Sequence, residues 1–194
     1  MFKHASGSHF NPAVTLAMVI TKEIDVRRGA LYFAAQMIGG VAGSAAVMGL
    51  ADMHGSTGCF ASSVFEPTGS GAVRMVFWEL IMTYVLVMVI YAVEVNKKGD
   101  TNTAPIAIGF TVWACATCGG PYSGAALNPA RAFGPSLVHS CFQGHYAYWI
   151  GPLLGGALGG ITFKSVFLNA KNEEIVADGL HDDDSSINTH SLLG

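Results

Sequence analysis

The chain has 194 residues, 51% of them hydrophobic and only 12% charged, with 24 glycines and a formal net charge of −3. A water-soluble domain of this size is expected to be about one quarter charged, so much of this surface is not built to face water. The small net charge, with no basic patch interleaved with aromatics, excludes nucleic acid as a partner.

The first element in chain order is short. In "GSHFNPAVTLA", Asn11 is a strong N-cap residue, Pro12 suits the first helical position and Ala13 follows, so the tripeptide predicts a helix start. The apolar run to Ile20 allows about ten residues of helix, or ~15 Å, half the thickness of a hydrocarbon core. Gly29 to Ala51 then gives 23 residues without a charge. Met75 to Val93 is broken only by Glu79, and Ala104 to Cys118 is uncharged, reaching spanning length if Thr101 to Gly120 is counted. "GAALNPARAFG" repeats the helix start at Asn128, Pro129 and Ala130, with a similar short run to Val138. Tyr146 to Phe163 is the last uncharged segment. Since about 20 residues cross a ~30 Å core, the expectation is an all-α membrane protein with four spanning helices and two half-helices. From Asn169 the chain is polar and acidic ("HDDDSS"), which predicts a disordered cytoplasmic tail over 169–194 behind a membrane domain over 1–168.

Lysine and arginine placement sets the orientation. Lys22, Arg27 and Arg28 precede the first span, Lys97 and Lys98 lie between the second and third, and Lys164 and Lys171 end the fourth. The connection from Asp52 to Gly71 has neither residue, and that from Gly119 to His145 has only Arg131. The alternation puts the C-terminus in the cytoplasm, with Arg74 the one dissenter. Cys115 and Cys118 form a C-x-x-C pair, but no second pair follows at metal spacing. They read as small apolar residues at the end of a buried helix, and neither a metal nor a cofactor is expected.

The two tripeptides lie 117 positions apart, and Ser6-Gly7 matches Ser123-Gly124 at the same offset. At an offset of 116, Tyr32 aligns with Tyr148, Phe33 with Trp149 and Gly39-Gly40 with Gly155-Gly156. These matches indicate two homologous halves. The complete half has three crossings, an odd number, so the halves must insert in opposite directions, as in transporters built on inverted repeats. By that symmetry two more spans are expected before Asn11, and the sequence reads as N-terminally truncated. Half-helices that enter from opposite faces meet at the midplane, where irregular backbone is tolerated only if buried in protein or lining a water-filled cavity. Their positive ends face the centre, and the Asn11 and Asn128 amides can donate to the oxygen of a passing molecule while the field repels protons and cations.

"SGSHFNPAVTLA" and "SGAALNPARAFGPSLV" resemble the two signature loops of the aquaporin (major intrinsic protein) family, and the resemblance covers nearly all of Lys3 to Phe167. It implies a channel rather than an enzyme, passive, homotetrameric, and set in the plasma membrane or an intracellular one. "GGPYSGAALNPARAFGP" and "YWIGPLLGG" look most like the aquaporin-8 group, with plant tonoplast members near. Ala132 stands where glycerol-conducting members usually carry Asp. The resemblance assigns Arg131, Ala116 and Ala125 to the selectivity filter, whose fourth position would lie in a missing span. Ala116, where water-strict members tend to have His, widens the constriction, so water plus a small neutral solute such as ammonia or hydrogen peroxide is expected. Glu79, Gln36 and His9 sit at the family's structural positions. A lone carboxylate in a span can also serve a proton relay, but bracing of a loop backbone is the favoured role for Glu79. The rival reading is a non-conducting subunit that associates with full-length relatives and modulates them.

Overall fold

The computed structural model describes residues 7–50, 69–96 and 102–168. The acidic tail expected over 169–194 lies outside the described residues. Among those residues the regular structure is all helical: α1 (Pro12–Ile20), α2 (Val26–Leu50), α3 (Gly69–Ile90), α4 (Ala104–Ser123), α5 (Pro129–Val138) and α6 (Ala147–Thr162). Two π-helical turns, Tyr91–Val95 and Phe163–Leu168, extend α3 and α6.

Three helices are long and apolar enough to cross a membrane, namely Val26–Leu50, Gly69–Val95 and Ala147–Leu168. The fourth expected span is the 20-residue α4, long enough for the purpose but not among these three. The observed helices reach beyond the uncharged runs. α2 begins at Val26 because Asp25 caps it, its carboxylate accepting the Arg28 N–H at 3.0 Å. α3 begins at Gly69 and takes in Arg74, since a charge interrupts an apolar run without interrupting backbone hydrogen bonds.

Packing pairs each half-helix with the opposite half of the repeat. A Cβ placed on Gly40 of α2 would lie 2.5 Å from the Ala130 carbonyl oxygen of α5, and one on Gly156 of α6 would lie 2.7 Å from that of Ala13 in α1. Gly40 and Gly156 are repeat equivalents, as are Ala130 and Ala13, so the same close approach is made twice in exchanged form. α3 lies along α6 with equal intimacy, a Cβ on Gly155 falling 2.2 Å from the Leu80 carbonyl oxygen. α1 is seated in a core of Val14, Ala17, Met18, Val87, Tyr91 and Phe163. The loop before α5 fills a second, where Ala125 and Leu127 meet Met82, Leu86 and Cys115. By contrast, α2 buries only Gly29 and Gln36 along its 25 residues.

Candidate pore site

Both loops that lead into the half-helices begin with the same pair of left-handed residues. Gly7 and Gly124 have φ of +89° and +86°, and the next residues, Ser8 and Ala125, remain left-handed at +54° and +48°. Leu127 adds a third such non-glycine at +54°. Each costs on the order of 1 kcal/mol, so the loops need support from outside themselves. Asn11 and Asn128 are then extended, with φ of −142° and −153°, and act as N-caps. Asn11 Oδ1 accepts the Ala13 N–H at 2.9 Å. Asn128 Oδ1 accepts those of Ala130 at 3.0 Å and Arg131 at 3.3 Å. Pro12 and Pro129 open the two helices at positions whose N–H would have no helical partner.

The two tips are joined crosswise. Asn11 Nδ2 donates to the Leu127 carbonyl at 2.7 Å, and Asn128 Nδ2 donates to the Phe10 carbonyl at 2.9 Å. A primary amide has two N–H donors, so each asparagine retains one beyond this bond. Both side chains line a cavity of about 820 Å³. Its walls are apolar, with Val14, Met18, Leu86, Ile90 and Ile108, while Arg131, Glu23 and Glu94 supply charge.

Glu79 supports the second loop. It is fully buried, and Oε1 accepts the Ser123 hydroxyl at 2.7 Å and the Ala126 N–H at 2.9 Å, while Oε2 accepts the Leu127 N–H at 2.7 Å. A carboxylate can accept from all three at once, and charge-assisted bonds are the strong ones. Gln36 serves the first loop, its Nε2 donating to the His9 carbonyl at 2.9 Å and to Thr15 Oγ1 at 2.8 Å. It is therefore the main chain of His9 that is held, while its ring stacks on Tyr32 with centroids 4.6 Å apart.

The three filter candidates are placed differently. Arg131 lines the cavity and donates from Nη1 to the carbonyls of Ala125 and, at 3.2 Å, Ala126. Ala125 is fully buried, so it contributes that carbonyl and not a wall. The Ala116 side chain is exposed on α4, outside the cavity lining. Cys115 is buried and Cys118 exposed, both as free thiols, which corrects the expectation of two buried residues: an i, i+3 pair at this end of α4 spans the edge of its packed face.

Some supports went unread in the sequence. Tyr148 donates its hydroxyl to the Ser123 carbonyl at 2.7 Å, and Thr15 receives the Gln36 amide. The signal for Tyr148 was its alignment with Tyr32 in the repeat. Thr15 sits one helical turn after Asn11, which alone says nothing of its partner.

Spanning helices and two half-helices joined at their N-termini define an integral membrane protein of the inverted-repeat kind. The model of the family described as major intrinsic protein matches residues 1–163. The chain is 39% identical over 166 residues to aquaporin TIP4-4 of Zea mays, covering 85% of this chain and 64% of that protein. It is 40% identical over 167 residues to aquaporin TIP2-1 of Arabidopsis thaliana, covering 85% and 65%. The X-ray structure of the aquaglyceroporin from Plasmodium falciparum shares the fold, with a TM-score of 0.66 at 23% identity over 84% of this chain and 74% of that one. The chain belongs to the major intrinsic protein family, whose aquaporins are channels and not enzymes. It spans 64% and 65% of the lengths of the two relatives named here.

Proposed function

We propose that this chain forms a passive transmembrane pathway for water and small neutral solutes, with ammonia and hydrogen peroxide the first candidates beyond water. The observation that carries this reading is the crosswise bonding of Asn11 and Asn128, which leaves each amide one N–H for a passing oxygen at the meeting point of two positive helix ends. Arg131 adds donors for solutes and a barrier to cations. The aquaporin-8-like flanks of the second loop favour a filter wider than a water-strict one. By resemblance the assembly is a homotetramer.

The C-terminus is assigned to the cytoplasm. Lysine and arginine placement supports this, and so does Cys141, which follows α5 toward the opposite face and is disulfide-bonded. Disulfides persist on the oxidising side of a membrane.

A second reading is a non-conducting subunit that binds full-length relatives. It draws on the outer face of α2, where Leu31 and Ile38 are 72% and 71% exposed and could meet another subunit's helices. Osmotic swelling of cells that express Met1–Gly194 separates the two. Swelling faster than in cells without the chain supports the channel. Unchanged swelling, with slower swelling when a full-length relative is co-expressed, supports the modulator.

A further inference from the structure

The far end of α1, opposite Asn11, is held by Thr21, Tyr91 and Lys164, none of which lines the cavity, together with Glu23, which does. Thr21, its C-cap, is buried and its hydroxyl bonds the buried Tyr91 hydroxyl at 2.7 Å. Lys164 donates from Nζ to the Thr21 carbonyl and, at 2.8 Å, to Glu23 Oε1. Tyr91 opens one π-helical turn and Lys164 is the second residue of the other. Both side chains thus reach the same helix end from π-helical turns, which often mark functional positions. A cation at a helix C-terminus complements the negative end of its dipole and satisfies a carbonyl that has no helical partner. The seat is close below as well, since a Cβ on Gly160 would lie 2.9 Å from the Tyr91 hydroxyl and 3.1 Å from Ala17 Cβ.

α1 has nine residues, about 14 Å of helix, and is fastened at both ends. At one end Asn11 bonds Leu127; at the other, Thr21 bonds Lys164. So short a helix transmits a displacement of one end to the other.

We propose that Lys164 is a positioning residue of the pore: it anchors the C-terminal end of α1 and so holds Asn11 against Leu127. Only the pore half of this statement rests on the channel reading above. The anchor is tested on the full chain in lipid vesicles, labelled with ¹⁵N-asparagine, with the Asn11 side-chain signal identified by its loss in Asn11→Ser. In Lys164→Met that signal moves or broadens, and in Lys164→Arg it keeps its native position. Water permeability of the same vesicles falls about five-fold in the methionine variant, the scale of a helix-terminus interaction, and recovers in the arginine variant. Should Lys164→Met fail to insert, Lys164→Leu, which likewise lacks a donor, is read in the same way. An Asn11 signal unmoved in the inserted neutral variant overturns the proposal. Wild-type vesicles without flux would count against the channel reading, and the Asn11 signal would still decide the anchor.

Discussion

Asn11 and Asn128 are bonded crosswise: the side chain of each donates to the main-chain carbonyl just before the other, at 2.7 Å to Leu127 and 2.9 Å to Phe10. Each asparagine thus caps its own helix and fixes the loop that leads into the other. Replacing either by Ala removes a cap worth ~1 kcal/mol and leaves a carbonyl unpaired at a cost of ~1–3 kcal/mol. Asn11→Ala and Asn128→Ala are each expected to lower stability by about 2–3 kcal/mol, with the double variant costing less than their sum because the sites share one network. Denaturant unfolding in mixed micelles measures all three.

Glu79 holds left-handed Ala125 and Leu127 in place through Ser123, Ala126 and Leu127. Glu79→Gln keeps the size of the side chain but replaces one acceptor oxygen by a donor facing donors. The expected loss is about 3 kcal/mol or more, since these are bonds to a charged group without water to replace them. The same unfolding assay applies, and a loss below 1 kcal/mol would remove Glu79 as the support of this loop.

The glycine pairs distinguish packing from propensity. Gly40→Ala and Gly156→Ala place a Cβ 2.5 Å and 2.7 Å from a backbone oxygen, so each is expected to cost about 1–3 kcal/mol. Gly39→Ala and Gly43→Ala meet nothing within 4 Å and should gain up to ~1 kcal/mol in helix propensity. Thermal unfolding of the four variants should split them into these two pairs.

His145, just before α6, is 8% exposed, with neither ring nitrogen hydrogen-bonded and the Phe142 ring 5.3 Å away. Burial lowers its pKa from 6.5. The unfolded chain therefore takes up a proton that the folded one refuses, and stability rises with pH in that range. The contribution is complete above pH 6.5 and is lost as pH falls below it, at up to about 1.4 kcal/mol per pH unit. His145→Phe should flatten the dependence of unfolding temperature on pH, whereas an unaltered slope would mean that another group sets it.

Both half-helices were legible because Asn-Pro-Ala states its own geometry: an extended cap and then a residue with φ preset for helix. The glycine pairs were legible as a repeat, but not that Gly40 serves Ala130 and Gly156 serves Ala13, since an exchange of partners leaves no local trace. The Lys164 to Thr21 bond spans 143 positions and joins residues that each read as ordinary loop-flanking polar groups. Ala116 and Ala125 were placed through resemblance, and a main-chain carbonyl such as that of Ala125 has no side-chain signature to read.

Osmotic shrinkage of vesicles carrying the purified full chain tests the tip-to-tip pore most directly, comparing the wild type with Asn11→Leu/Asn128→Leu at equal protein. The wild type should shrink faster than protein-free vesicles, and the double variant should fall back toward their rate. A double variant that inserts, folds and shrinks as fast as the wild type would show that water does not pass where the two helix ends meet.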